Sequence, residues 1–158
     1  MQANRATWIV AANAGHARFF EEADRAAPLE HLNDMGNAGA RLRTADTESD
    51  QLGQIAASKG RHSAGAPSQP NGYQPKQSPA EHQTEIFARS VADSLLKAHN
   101  EGRYQHLVLA ASPEFLGVLR KVMDPALTPL VSLCINKDFS QLDARQLRER
   151  IQVEKTRH

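Results

Sequence analysis

The sequence has too few cysteines for a disulfide framework or a cysteine-based zinc site. Cys134 is the only cysteine in 158 residues, whereas either kind of site requires several. Because Val131, Leu133 and Ile135 surround it with apolar side chains, we expect Cys134 to be a buried small hydrophobic residue within a strand. A thiol in that position is inert as a nucleophile.

Long hydrophobic runs and a strong charge of one sign are missing as well. The apolar run from Trp8 to Ala12 is far too short for a signal peptide or a membrane span, so we expect a cytoplasmic protein with no membrane partner. The formal net charge is +1, so the composition as a whole does not indicate a nucleic-acid-binding protein. Only a local cluster of cations could still indicate that the protein binds nucleic acid.

Sequence motifs of common enzymes are also absent. The chain has no Gly-x-Ser-x-Gly elbow, no phosphate-binding glycine loop and no dinucleotide fingerprint. His82 and Glu85 have a spacing that suits two metal ligands on a helix, but no second pair accompanies them, and a solvent-exposed helix face is the simpler interpretation. We therefore predict no catalytic residues, no metal and no cofactor, while enzyme activity stays an open question.

What the sequence does contain is a long polar segment, from Gly36 to Pro79, between two stretches typical of folded protein. Its only sizeable apolar side chains are Leu42, Leu52, Ile55 and Tyr73. Structureless loops beyond about 12–15 residues are uncommon in compact domains and are usually functional or disordered. Because the length fits one domain, we predict a single domain, residues 1–158, with a long flexible loop over residues 36–79 that contains glycine, proline and arginine.

Three short strands are predicted before this loop. Residues 7–12 form a nearly continuous apolar run, which is typical of a buried central strand. Asn13-Ala14-Gly15 is typical of a hairpin turn, because Asn and Gly tolerate positive φ. Residues 17–22 alternate between apolar and polar, which predicts a second strand, and residues 29–32 a third.

Helices and strands alternate after the loop. Ser78, Pro79 and Glu81 predict a capping box and the start of a helix that ends at Gly102. A strand over 106–111, a helix from 113, a strand over 131–136 and a closing helix capped by Asp143 follow. The order β-β-β-α-β-α-β-α predicts an α/β fold with a ribonuclease-H-like mixed five-stranded sheet, order 3-2-1-4-5, and the long loop after strand 3.

A nuclease of this fold class needs several carboxylates that converge on metal ions. The first strand ends in Asn13 and the fourth strand has no acid, which argues against such a nuclease. The loop is the better candidate site, since Lys59-Gly60-Arg61-His62 suits contacts with phosphates; the alternative is a solvated linker. The predicted RNA-binding residues are Arg41, Arg43, Lys59, Gly60, Arg61, His62 and Lys76.

Several ordered segments resemble one bacterial family. They are residues 7–20, Gly60-Arg61-His62, residues 81–92, Gly102-Arg103-Tyr104 with residues 107–111, residues 113–117, and Asn136-Lys137-Asp138-Phe139. Over residues 5–151 the chain therefore resembles the bacterial proteins named for attachment to host cells. That family often has an acidic residue at the position of Asn13, so the amide here is a departure that weakens a metal-dependent interpretation.

The family is similar in fold to the central domain of archaeal and eukaryotic peptide-chain release factors. In those proteins a loop after the third strand ends in a Gly-Gly-Gln tip. The resemblance implies a loop tip at Gly53 and Gln54 here, but Leu52 stands where the tripeptide has its first glycine. Backbone freedom is lower without that glycine, which argues against peptide release by Gln54.

Two functions are open at this stage. The first is a non-catalytic factor that binds the ribosome or another structured RNA, in translation stress or in ribosome rescue or hibernation. The alternative is a protein-interaction module whose partner binds the 36–79 loop and which affects attachment to host cells indirectly. Unpaired edges at strands 3 and 5 would also permit an oligomer.

Overall fold

The computed structural model describes residues 6–24, 27–39 and 78–157. In chain order the elements are β1 (Thr7–Ala12), β2 (His16–Glu22), β3 (Glu30–Gly36), α1 (Pro79–Asn100), β4 (His106–Ala111), α2 (Pro113–Val122), a 3-10 helix (Pro125–Leu130), β5 (Val131–Ile135) and α3 (Ala144–Arg157). The sheet order is β3-β2-β1-β4-β5. The predicted fold class and strand order are therefore confirmed.

The direction of each strand divides the sheet into two parts. β1 runs antiparallel to β2, and β2 antiparallel to β3. β4 runs parallel to both β1 and β5. The ends of β1, β4 and β5 and the start of β2 consequently lie along one border of the sheet, which we call the carboxyl edge. In α/β sheets this is the border where ligands usually bind.

The sheet has a hydrophobic core on each face. Trp8 and Val10 of β1 pack with α1 and α2 on one face, whereas Ile9 and Ala11 pack with α3 on the other. Because β1 is covered on both faces, its sequence is continuously apolar rather than alternating. The central position predicted for this strand is confirmed.

The start and end of α1 follow the predicted signals. Ser78 Oγ accepts a hydrogen bond from the backbone N–H of Glu81 at 3.1 Å, and the Glu81 carboxylate accepts one from the N–H of Ser78 at 2.8 Å. These two bonds complete the capping box. Gly102 has a φ of 72° just beyond the helix, a conformation that glycine adopts without strain.

The structure corrects several local predictions. β3 begins at Glu30 and extends to Gly36, beyond residues 29–32, because an edge strand with exposed side chains has no hydrophobic alternation to mark it. Residues 125–130 form a 3-10 helix between the helix from 113 and the strand at 131, where no element was predicted. Cys134 lies in β5 as predicted but is only partly buried, because β5 is an edge strand.

Among the described helices, none combines the length and apolar character that crossing a membrane requires.

Candidate functional site

Asn13 closes the hairpin between β1 and β2 with its side chain. Its Oδ1 accepts hydrogen bonds from the backbone N–H groups of Gly15 at 2.7 Å and of His16 at 3.0 Å. The backbone N–H of Asn13 donates to the carbonyl of His16 at 2.9 Å. The predicted turn is confirmed, but its predicted reason is wrong, because neither Asn13 nor Gly15 has a positive φ. Side-chain hydrogen bonds hold the turn instead.

The amide nitrogen of Asn13 connects this turn to the loop that follows β5. Its Nδ2 donates to Asp138 Oδ2 at 2.9 Å and to Ser140 Oγ at 3.2 Å. Asp138 Oδ1 in turn accepts from the backbone N–H of Ser140 at 2.9 Å and from its hydroxyl. Asn13 thereby uses both donors and both acceptor positions of its amide. An acid at position 13 would lack the two donors.

Asp138 is an exposed carboxylate that these contacts keep ionised. Partial burial raises its pKa, but hydrogen bonds from Ser140 and Asn13 and the nearby charge of His16 outweigh that effect. The pKa of Asp138 therefore lies below its ordinary value. A carboxylate in this state accepts hydrogen bonds from hydroxyl, amine or amide groups and repels phosphate.

Arg18 extends the polar contacts across β2 toward β3. Its guanidinium donates to the carbonyl oxygens of Leu142 at 2.9 Å and Ser140 at 3.4 Å, and it lies 3.5 Å from Asp34 Oδ1 in β3. Partial burial raises the pKa of Asp34, but contacts with His31 and Arg18 outweigh this and leave the pKa lowered. We call Asn13, His16, Arg18, Asp138 and Ser140 the carboxyl-edge cluster.

The residues that flank the segment 40–77 are fixed close to this cluster. Asn37 is only 3% exposed; its Nδ2 donates to the carbonyl of Ala14 at 2.8 Å, and its backbone N–H donates to the carbonyl of Gly15 at 2.9 Å. Gly39 packs so closely on Gln83 of α1 that a side chain at position 39 would collide with it. Residue 78, where the description resumes, is the N-cap of that same helix.

The two flanking positions are therefore neighbours. Gln83 lies five positions after Ser78, which is about 8 Å along a helix at 1.5 Å per residue. The chain leaves the described part beside the β1–β2 turn, and it returns at the start of the helix whose Gln83 contacts Gly39. The carboxyl-edge cluster joins that turn to the loop after β5.

The residues predicted to bind RNA cannot be placed in this geometry. Arg41, Arg43, Lys59, Gly60, Arg61, His62 and Lys76, together with the predicted loop tip at Gly53 and Gln54, all lie outside the described residues. His82 and Glu85 are described, and Glu85 binds Arg89 at 2.7 Å. Within residues 6–24, 27–39 and 78–157, no three His, Cys, Asp or Glu side chains gather closely enough to hold a metal ion.

Sequence reasoning missed the residues that build the cluster. Asp138 belongs to the Asn136–Phe139 segment that carries part of the family resemblance, but no role was predicted for it. Ser140 and Asn37 gave no signal, because a buried polar residue is recognised by its partners and not by its neighbours in sequence. Asn13 and Asp138 are 125 positions apart.

Taken together, these features define a class: a mixed α/β fold of ribonuclease-H-like strand order with a polar cluster at its carboxyl edge. The chain belongs to the family described as proteins required for attachment to host cells, whose model matches residues 8–151. The resemblance to this family that the sequence motifs indicated is thus confirmed.

Two archaeal proteins are among the solved structures to which this chain is similar. The translation termination factor aRF1 is 11% identical with a TM-score of 0.49, over 99% of this chain and 40% of that chain. A second structure, described only as an archaeal protein, is 16% identical with a TM-score of 0.36, over 88% of this chain and 32% of that chain. This chain thus spans well under half of either archaeal chain. No curated protein sequence matches it significantly.

Proposed function

We propose that this member of the host-attachment family is a non-catalytic RNA-binding factor that acts at the ribosome, in translation stress or in ribosome rescue or hibernation. Its RNA contacts come from cations in the segment 40–77, which include Lys59 and Arg61. Attachment to host cells then depends on it indirectly, through the proteins that the cell makes.

The distribution of charge in the sequence is the observation that carries this proposal. Residues 40–77 contain five Lys and Arg and three Asp and Glu, a net charge of +2 that leaves −1 for the rest of the chain. All three acids lie at or before Asp50, so residues 51–77 carry Lys59, Arg61 and Lys76 with no acid among them. Such a stretch suits the neutralisation of phosphates.

The described part of the chain has a different charge pattern. Several of its cations are in ion pairs: Arg89 with Glu85, Arg103 with Glu101, Arg145 with Glu149, and Lys137 and Arg157 with Glu154. The exposed carboxylate of Asp138, which Asn13 connects to the turn that Asn37 contacts, repels phosphate. We therefore assign contacts with phosphates to the segment 40–77, and contacts with hydroxyl or amine groups of the ligand to the carboxyl-edge cluster.

Co-sedimentation with ribosomes from growing and starved cells, at low and high salt, tests the proposal. The intact chain is compared with one whose residues 40–77 are replaced by a short Gly-Ser linker, and with the double variant Lys59→Ala, Arg61→Ala. A matched control, Arg145→Ala with Arg150→Ala, removes two exposed cations from α3. We expect salt-sensitive co-sedimentation that the first two variants lose and the control keeps, because released counterions make phosphate binding salt-dependent.

Two outcomes contradict the proposal. Migration only in the light fractions under every condition means that the ribosome is not the target. Co-sedimentation that is equal for the intact chain and both segment variants means that the cations of residues 40–77 are not the contact. If the segment instead captures a defined protein without RNA, the protein-interaction alternative replaces the RNA-binding function.

A further inference from the structure

β5 is an edge strand without charged side chains. Within the described part of the chain it pairs with β4 on one side and with no strand on the other. Its residues are Val131, Ser132, Leu133, Cys134 and Ile135. Edge strands of monomeric proteins are usually protected by charges, prolines or a covering element, because their free N–H and C=O groups otherwise pair with another chain.

A groove runs along this strand, between it and α2. Its volume is about 650 Å³. Leu109, Val131 and Cys134 contribute to its apolar floor, and Gly117 of α2 lines one wall. A Cβ at Gly117 would meet no described atom within 4 Å, so the glycine widens the groove. If a further strand paired with β5, its apolar side chains on this face of the sheet would enter the groove.

The rim of the groove is positively charged. Arg120 and Lys121, both exposed on the last turn of α2, line it, and among the described residues no Asp or Glu does. The complementary ligand therefore carries acidic side chains beside its apolar ones. Charge complementarity of this kind selects partners more strongly than it adds raw affinity.

We propose that the free edge of β5 and this groove bind an extended, acidic segment of a partner protein, which adds to the sheet as a sixth strand. Backbone hydrogen bonds to β5 would fix its direction, alternate apolar side chains would fill the groove, and acidic side chains would meet Arg120 and Lys121. This surface lies at the opposite edge of the sheet from β3, after which the segment 40–77 begins.

A second copy of the chain fits this edge less well than an acidic partner. Antiparallel pairing of β5 with itself, about a two-fold axis perpendicular to the sheet, would place two grooves on the same face. Each copy would then bring Arg120 and Lys121 toward the same pair of cations on the other copy. Like charges brought together across an interface weaken it.

Fluorescence anisotropy with labelled synthetic peptides tests the proposal on the intact chain. The first probe is a short peptide with valine at the central positions and glutamate at the end positions of one strand face, and threonine at every position of the other face. The second probe replaces glutamate by lysine. The third is the first peptide with every backbone amide N-methylated, which removes the N–H donors from both edges and prevents it from pairing as a strand. We expect the glutamate peptide to bind about tenfold more tightly than the lysine peptide, and the methylated peptide not to bind.

Charge reversal at the rim supplies the decisive variant. Arg120→Glu with Lys121→Glu should reverse the preference so that the lysine peptide binds more tightly, whereas the matched reversal Arg145→Glu with Arg150→Glu on α3 should leave it unchanged. Both pairs are exposed, so neither reversal should prevent folding. Ser132→Lys, which charges the edge itself, should weaken binding of both peptides.

Several outcomes overturn the proposal. Binding that N-methylation does not change excludes strand addition, and a preference that charge reversal does not move excludes the rim as the specificity element. Failure of every peptide to bind excludes the site. Sedimentation of the intact chain as a dimer that Ser132→Lys dissociates identifies a second copy as the occupant and overturns the assignment to an acidic partner.

Discussion

β3 and β5 lie at opposite edges of one sheet and are held there by different interactions. Most β3 side chains are exposed, and polar contacts hold the strand: Arg18 meets Asp34, and Asn37 just beyond the strand binds the β1–β2 turn. β5 is held by apolar packing, with Ile135 and Leu133 on one face and Cys134 on the other. Charged β3 side chains also protect that edge against further strands, whereas the five residues of β5 include no charge that would do so.

The polar contacts form a connected path along the carboxyl edge. Asn37 holds the β1–β2 turn, Asn13 in that turn holds Asp138 and Ser140, and Arg18 connects the carbonyl of Ser140 to Asp34 of β3. This path joins Asn37, shortly before the segment 40–77, to the loop after β5. The fold thus keeps its polar cross-links beside the segment and its apolar groove at the other edge.

The largest effect is expected from removing an apolar side chain from β5. Ile135 is 2% exposed, so Ile135→Ala should lower the free energy of unfolding by about 2–5 kcal/mol, through lost transfer energy and a residual cavity. The matched substitution in β3, Leu32→Ala, should cost clearly less because Leu32 is only partly buried. Urea denaturation of both variants measures the difference. Equal losses would contradict the view that only β5 is held mainly by apolar packing.

A smaller loss is expected from breaking the polar path at its centre. Asn13→Asp removes the two donors that reach Asp138 and Ser140 and places two carboxylates together, so the free energy of unfolding at pH 7 should fall by about 1–2 kcal/mol. Repulsion raises the pKa of the new pair above its unfolded value. The loss of unfolding free energy relative to the unchanged chain should therefore become smaller as the pH falls from 7 toward 5, because the pair takes up a proton.

The exchanged pair is the control for this prediction. Asn13→Asp combined with Asp138→Asn restores one amide and one carboxylate, and it should recover part of the lost stability. Urea denaturation at pH 7 and pH 5 distinguishes the cases. A double variant no more stable than Asn13→Asp alone would show that the lost hydrogen bond from residue 13 to Ser140, and not the contact with Asp138, determines the loss.

The contribution of Asp138 itself should appear as a weak acid dependence. Its folded pKa is lowered, so the stability that it contributes is present above the unfolded pKa of about 3.9 and is lost as the pH falls through the folded value. Because the residue is exposed and solvent screens its contacts, we expect a loss below about 1 kcal/mol. Urea denaturation between pH 6 and pH 3 measures it. If Asp138→Asn shows the same acid dependence as the unchanged chain, other carboxylates account for the loss.

The sequence predicted the elements that depend on local patterns and missed those that depend on distant contacts. The buried face of α1 and its capping box could be predicted because hydrophobic period and cap residues lie close together in sequence. The strand order could be predicted because the order of the elements and the rules for their connections leave few topologies. The end of β3 could not be predicted from the sequence, since its pairing with β2 continues through polar residues. The Asn13–Asp138 contact was not readable either, because it forms only when the whole sheet has assembled.

The smallest effect on stability, and the sharpest test of the contrast between the edges, comes from placing a charge on β5. Ser132 is exposed, so Ser132→Lys should change the free energy of unfolding by less than about 0.5 kcal/mol, as should the matched Asn33→Lys in β3. Only the change in β5 should also weaken the binding of an added strand, because β3 already carries charges. Ser132→Ala is the control, because it loses the same hydrogen bond from the Ser132 hydroxyl to the Leu107 carbonyl. A loss above about 1 kcal/mol for Ser132→Lys but not for Ser132→Ala would show that the free side of β5 is already covered by another part of the chain, and the two edges would then differ less than their described residues indicate.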